Sequence, residues 1–206
     1  MTDGRLLKGE QTRRTILGRA ADIASAEGLE GVSIGRLATE LRISKSGVFT
    51  HFGSKEELQL ATVRLAVETF REHVVAPALA VPEGMRRVRA LCAAWQRYQR
   101  ERVFPGGCFF YSTAAEFDAR PGRVRDAIAA SQRDWGAFLE RCLSEARDLG
   151  EIDASADPAQ LAFEIDALCA AGGAKALLHD DPSGYTRAER ALAERLAAVT
   201  VPAGDG

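Results

Sequence analysis

Five residues within seven positions could read a nucleic acid. Lys45, Ser46, Gly47, Thr50 and His51 fall on a short predicted helix, opposite the inward-pointing Val48 and Phe52. They offer an ammonium, two hydroxyls, an imidazole and a site of close backbone approach. Small donors and acceptors near a helix start suit the major groove, where each base pair shows its own hydrogen-bonding pattern. Other chemistries lack their parts. No glycine-rich phosphate loop and no motif-paired Cys and His are present, so no catalytic residue is expected and the chain is not read as an enzyme. Cys92, Cys108, Cys142 and Cys169 form no C-x-x-C, and His51, His73 and His179 are scattered, so neither a metal nor a cofactor is expected. Cys108, after two glycines, is read as a packing residue rather than a reactive thiol.

These residues must be positioned by helices, because almost nothing else is encoded. In 206 residues, 46% are hydrophobic and 27% charged, ordinary for one globular domain or two small ones. No apolar run approaches the roughly 18–20 residues of a membrane span, and Met1 to Arg14 has no apolar signal core; the expectation is a cytoplasmic protein with no membrane partner. Residues 1–55 carry nine Lys/Arg against six Asp/Glu, whereas 56–206 carry eighteen against twenty-three. A basic head on an acidic body suits a protein that touches an anion with one end.

The periodicity predicts an all-α fold of about nine helices and no strand. Ile16, Ala20, Ile23 and Ala24 make one apolar face over Thr12 to Glu27, with Gly28 as a left-handed cap. Ser33 caps a helix carrying Leu37, Ala38 and Leu41; Ile43 plugs the turn; Ser44 caps the helix ending near Phe52. Ser54 and Glu57 form a capping box for a helix to about Val75, before Pro77. Further helices fit 83–102, 108–118 and 121–149. Another runs from the Asp157-Pro158 cap to Leu178, and a last one from the Thr186–Glu189 box to Val199; the tail Pro202 to Gly206 is expected to fray. Arg13 and Arg14 read as a solvated tail or as an arm toward a minor groove. The segment 33–52 is thus a helix-turn-helix, and two domains are expected, 1–55 for the head and 56–206 for the body.

Nine of the fourteen aromatics lie between Trp95 and Phe138. Core packing is the plain reading; the functional one is an apolar pocket for a small molecule, lined by Cys92, Trp95, Phe110, Tyr111, Trp135 and Phe138, with Cys142 beside them and the Tyr111 hydroxyl as a polar handle. The run Ala170-Ala171-Gly172-Gly173-Ala174 inside a helix costs about 1 kcal/mol per glycine relative to alanine, so a close helix approach must compensate. Leu161, Ile165, Leu168, Gly172, Gly173, Leu192 and Leu196 are the candidate face of a two-fold helix bundle, with packing inside one chain as the alternative.

One resemblance is specific. Lys8-Gly9-Glu10-Gln11-Thr12-Arg13, Ile16-Leu17, Ala20-Ala21, Gly28, Ser33-Ile34, Leu37-Ala38, Ile43-Ser44-Lys45, Phe49-Thr50-His51-Phe52 and Ser54-Lys55-Glu56-Glu57-Leu58 together resemble the amino-terminal domain of the tetracycline-repressor (TetR) family, over about fifty residues without a gap. Phe104-Pro105-Gly106-Gly107-Cys108 is similar to one branch of the family's divergent bodies. The resemblance implies a recognition helix from Ser44 to Phe52 and DNA contacts from Ser33, Ser44, Lys45, Ser46, Gly47, Phe49, Thr50, His51 and Lys55. Lys55 is then the phosphate contact, which the positive end of its helix would support. It also implies a ligand-responsive transcriptional regulator, most simply a repressor: a homodimer on a palindromic double-stranded operator, released by a small apolar or aromatic effector. Three positions depart from the pattern. Arg42 replaces a glycine, Gly47 a hydroxyl residue and Phe49 a tyrosine. Arg42 and Gly47 keep alive one alternative, a helical ligand-binding or interaction module that has lost specific DNA binding.

Overall fold

The computed structural model describes residues 3–201 of the chain, with side chains from Leu7 onward. Nine α-helices are present among the described residues, and the only β pairing there is an isolated bridge between Ile152 and Thr200. In chain order they are α1 (Asp3–Glu27), α2 (Ile34–Glu40), α3 (Lys45–Phe52), α4 (Lys55–Phe70, continuing to Leu79), α5 (Met85–Arg100), α6 (Phe109–Phe117), α7 (Arg123–Asp148), α8 (Pro158–Leu178) and α9 (Ser183–Val199). The expected tail, Pro202 to Gly206, lies outside the described residues.

Two compact units are built from these helices. The first takes residues 1–68 and 104–129, the second residues 69–103 and 130–206. In the first unit, Ile16, Ala20, Ile23 and Ala24 are fully or almost fully buried, as their spacing predicts, and Leu37, Val48 and Phe109 share that core. The Pro105-Gly106-Gly107 turn fits against the backbone of α1. Gly106 N–H donates to Ser25 Oγ at 3.1 Å, and a Cβ at 106 would fall 2.0 Å from the Ser25 carbonyl oxygen.

Several boundaries differ from the sequence reading, each for a local reason. α1 starts at Asp3 rather than Thr12. Thr12 and Thr15 do not cap; their hydroxyls bond back to the carbonyls of Lys8 and Gln11 inside the helix. Arg13 and Arg14 are therefore helical and form no tail, and the Arg13 guanidinium lies 5.3 Å from the Phe52 ring centroid. Gly28 has positive φ but extended ψ (86°, 161°), so it is not a left-handed cap. Pro77 does not stop α4. A π-helical turn, Arg71–Val75, precedes it, with Ala76 N–H reaching back five residues to Arg71, and the helix continues through Ala76–Leu79. α9 begins at Ser183 rather than at the Thr186 box, because the Asp181 carboxylate accepts from the Ser183 N–H (2.9 Å) and hydroxyl.

The glycines of α8 are compensated within the chain. A Cβ at Gly172 would fall 2.5 Å from that of Ala188 on α9, and one at Gly173 would run into the Gln99 side chain on α5. Gln99 Nε2 donates to the Cys169 carbonyl at 3.1 Å. Leu161, Ile165, Gly172, Gly173, Leu192 and Leu196 are all buried in the single chain, and only Leu168 is half-exposed. Much of the face expected to meet a partner thus packs within the single chain, where small residues draw α8 and α9 together.

Arg42 adopts φ 56°, the left-handed conformation a glycine would favour. That costs a non-glycine residue about 1–2 kcal/mol. Arg42→Gly should stabilise the protein by about 1 kcal/mol after the extra chain entropy of glycine is subtracted, raising Tm by a few degrees. A thermal melt checks this, and an unchanged or lower Tm would mean that the arginine makes compensating contacts.

Candidate nucleic-acid interface and effector site

The helix-turn-helix forms as the caps dictate. Ser33 Oγ accepts from Arg36 N–H at 3.2 Å, and Ser44 Oγ accepts from Gly47 N–H at 3.0 Å. Ile43 is half-buried and its N–H donates to the Ala38 carbonyl, closing the turn. Gly53, at φ 74°, ends α3 in the left-handed conformation. Val48 and Phe52 point into the core; Lys45, Ser46, Phe49 and Thr50 are exposed, Gly47 and His51 half-exposed. Thr50 Oγ1 donates to the Ser46 carbonyl at 2.8 Å, which fixes its rotamer and leaves its lone pairs outward. A Cβ at Gly47 would press on Ser44 Oγ at 3.0 Å, so the glycine leaves this cap undisturbed. Phe49 is 54% exposed, a large apolar ring on the presented face.

Lys55 begins α4 behind the Ser54 cap, whose Oγ accepts from Glu57 N–H at 3.1 Å. Its ammonium is held from below. Nζ donates to the Glu30 carboxylate at 2.7 Å and to the Glu30 carbonyl at 3.1 Å. The hydrogen bond from Lys55 is the main cause holding the Glu30 carboxyl below the usual range. Arg123 bridges Glu56 and Glu57 at 3.1 and 2.7 Å, offsetting two carboxylates at the start of α4.

Gly31-Val32-Ser33-Ile34-Gly35 spells the G-x-S-x-G pattern of a hydrolase elbow, a motif that the expectation of no enzyme took to be absent. The geometry does not support that chemistry. A 3-10 turn rather than a strand precedes Ser33, and its hydroxyl is the cap of α2.

The aromatic candidates separate. Trp95, Trp135 and Phe138 come together in the second unit around Phe70, which the sequence reading missed. Phe70 meets Trp135 at 4.9 Å and Trp95 at 5.9 Å between ring centroids; Trp95 and Trp135 stand 5.3 Å apart, all edge-to-face. Phe138 lies 6.1 Å from Trp135. Phe110 and Tyr111 belong to the first unit, where Phe110 packs edge-to-face on Phe109 and Tyr111 is exposed. Cys92 lines a groove of about 680 Å³ between α5 and α9, with Gln96, Leu192 and Leu196 and the Arg100–Glu189 ion pair. Burial pushes its thiol up to about 12, and raises that of Cys142 as well. Cys108 is buried, as packing requires.

Two polar features mark the aromatic cluster. Trp135 Nε1 donates to Asp166 Oδ1 at 3.1 Å, whereas Trp95 Nε1 is sealed from solvent without a hydrogen-bond partner among the described residues. A buried donor left unmade costs about 1–3 kcal/mol. The Trp95 N–H is therefore a buried donor that an acceptor atom would stabilise.

Family models match both parts of the chain. Residues 16–62 match "Bacterial regulatory proteins, tetR family", and residues 84–192, over half the chain, match "Tetracyclin repressor-like, C-terminal domain". The chain belongs to the TetR family. It is thus a member of a family of ligand-responsive, DNA-binding transcriptional regulators. No curated protein sequence matches the chain significantly. Among solved structures, a TetR regulator from Chloroflexus aurantiacus matches at TM-score 0.87 and 24% identity, covering 94% of this chain and 98% of its own. One from Cytophaga hutchinsonii matches at 0.83 and 18%, covering 95% and 98%. AibR, solved with isovaleryl coenzyme A and operator DNA, matches at 0.64 and 25%, covering 76% and 83%. The first two carry the fold. No helix among the described residues is long and apolar enough to cross a membrane.

Burial raises the Asp166 carboxyl above the usual carboxylate range, only partly opposed by the Trp135 hydrogen bond. A raised folded-state pKa means stability present below the unfolded pKa and lost as pH rises through the folded one. Asp166→Asn, whose amide oxygen still accepts from Trp135, should therefore melt with the wild type near pH 4 and above it at pH 7. Paired melts across that range check the sign.

Proposed function

We propose that this TetR-family regulator is a homodimeric repressor that reads a palindromic operator with α3 and leaves it when a small apolar or aromatic molecule binds the body. The observation that carries the reading is α3 itself. It is capped at both ends, anchored by Val48 and Phe52, and presents Lys45, Ser46, Phe49 and Thr50 to solvent. Head functions fall to residues 1–55, effector binding and dimerisation to 56–206. Ser33, Ser44, Gly47 and His51 line the approach to DNA. Lys55 meets a phosphate with the donor that Glu30 leaves unused, since an ammonium has three N–H groups and two are engaged. The departures at Arg42 and Gly47 favour no DNA-free alternative: the turn takes the conformation a glycine would, and the Ser44 cap is made.

The effector reading rests on Trp95, Trp135, Phe70 and Phe138. The edge-to-face rings of Phe70, Trp95 and Trp135 suit an aromatic guest, and the Trp95 N–H suits a guest with a carbonyl, ether or hydroxyl oxygen. The bound molecule of AibR belongs to AibR; the aromatic cluster here favours a ring-bearing compound over an acyl thioester.

Dimerisation is assigned to the outer face of α8. Phe163, Ala167, Ala170, Ala171, Ala174 and Leu178 recur at i, i+4, i+7, i+8, i+11 and i+15, one stripe about 100° wide. Phe163 is 68% and Leu178 79% exposed. Soluble proteins rarely leave such a stripe uncovered, and a second copy of the same stripe makes an isologous two-fold contact.

Fluorescence anisotropy on DNA from just upstream of the protein's own gene, against a scrambled duplex, tests the reading. Binding at least a hundredfold tighter to the specific duplex is expected. Lys45→Ala and Thr50→Ala should alter base preference, whereas Lys55→Ala should weaken all sequences alike and lower the salt slope by about one. Phe163→Glu should give a folded monomer in sedimentation and lose most operator affinity; a dimer would remove α8 as the interface.

A further inference from the structure

The turn between α1 and α2 carries a contact from a helix that is distant in sequence. Glu116, next to last in α6, places its carboxylate against the 3-10 turn Leu29–Gly31. Oε2 accepts from Leu29 N–H at 2.7 Å and Oε1 from Glu30 N–H at 2.9 Å. One carboxylate thus takes two backbone donors at the start of a turn, where charge-assisted hydrogen bonds are strong. The position before the turn is built for it. At Gly28, φ is 86°, and a Cβ there would fall 2.6 Å from Glu116 Oε2. From the other side, Gln59 Nε2 of α4 donates to the Leu29 carbonyl at 3.0 Å. Glu30, fixed in this way, offers its carbonyl and carboxylate to Lys55.

We propose that Glu116 is a positioning residue for DNA binding: by clamping the Leu29–Gly31 turn it fixes Glu30, and Glu30 aims the Lys55 ammonium at the operator phosphate. The inference rests on the assignment of Lys55 to phosphate. Its physical content is preorganisation. A lysine carries large rotamer entropy, which is lost on making an ordered contact. Two bonds to a turn that is itself clamped remove most of that freedom before DNA arrives. Glu116 contributes no charge to the DNA, and a carboxylate acting directly would repel it. Its effect must therefore pass through Lys55.

A double-mutant cycle on the full-length protein separates this from a merely structural role. Glu116→Gln retains one acceptor but sets an amide N–H against the second backbone donor. It is expected to weaken operator binding about five- to tenfold in the wild-type background and less than twofold when Lys55 is already alanine. The loss of thermal stability should be the same in both backgrounds, and Glu116→Asp should recover part of the affinity. Circular dichroism and sedimentation confirm a folded dimer at the temperature of the titration. If Glu116→Gln fails to fold, Gly28→Ala, which pushes the carboxylate away from the turn, takes its place in the cycle. Equal losses in the two backgrounds, or no loss in either, overturn the proposal while leaving the phosphate assignment intact. If Lys55→Ala alone leaves binding unchanged, the phosphate assignment fails and the proposal falls with it.

Discussion

An eight-residue helix cannot hold itself together. Isolated helices shorter than about 12–15 residues are marginal in water, and α3 has eight. Everything around it in the first unit makes up that deficit. Ser44 supplies the amino-terminal cap, Gly53 the left-handed exit, and Val48 and Phe52 the buried anchor. Arg13 lies over the outer side of Phe52. The turn before the helix carries the strain of Arg42. The protein tolerates that conformation because a differently shaped turn would move the Ser44 cap and with it the whole presented face. Rigid presentation of a few side chains is what groove reading demands.

Small residues in the second unit serve a different end. Gly172, Gly173 and Gly184 let α8, α9 and α5 approach closely. Each glycine weakens its own helix, and the close contact returns dispersion energy across the interface. A consequence is that the inner sides of α8 and α9 are fully occupied. The outer side of α8, proposed for association, carries alanines that are again small enough for close approach. The aromatic cluster obeys another rule. Its rings are packed edge-to-face, yet the Trp95 N–H is left without a partner. A core selected only for stability would give that donor an acceptor, as Trp135 has in Asp166. Asp166 in turn carries a raised pKa, so this region departs from the most stable arrangement at two neighbouring points. Such departures are expected where function competes with packing.

Local signals in the sequence were legible, and distant ones were not. The caps at Ser33, Ser44 and Ser54, and the Asp157-Pro158 start of α8, are each contained within four residues. The buried stripe Ile16, Ala20, Ile23, Ala24 is a single-helix pattern. The positive φ of Arg42 could be anticipated because family resemblance marks a glycine there. By contrast, Thr186 and Glu189 form a valid capping box in sequence that competes with Asp181, five residues before Thr186, and only the structure decides between them. Thr12, where the sequence pattern begins, is helix interior. The π-turn that carries α4 past Pro77 has no compact sequence signature. Phe70 joins the aromatic cluster from a stretch with no other aromatic nearby. Glu116 reaches Leu29 across 87 positions, and no spacing rule connects a charge at one helix end to backbone donors that far away. Burial of the residues expected to dimerise was hidden for a related reason. The spacing of apolar residues identifies a helix's apolar sides but cannot say which side its own chain covers, and α8 has two.

The two surfaces assigned to association depend on each other. A recognition helix with four exposed side chains makes few base contacts, and each good bidentate pair contributes only about 1–3 kcal/mol of discrimination. One head therefore separates an operator poorly from the large excess of other DNA. Doubling the head squares the discrimination, provided both copies engage at once with fixed spacing. The outer stripe of α8 is the surface proposed to impose that spacing, because an isologous contact between two such stripes relates the heads by a two-fold axis, the symmetry of a palindrome. An effector need not touch the heads to release them. It needs only different affinities for two arrangements of the body. On the effector site proposed above, the unsatisfied Trp95 donor is the source of such a difference: a guest whose oxygen completes this hydrogen bond favours whichever arrangement holds the guest in place.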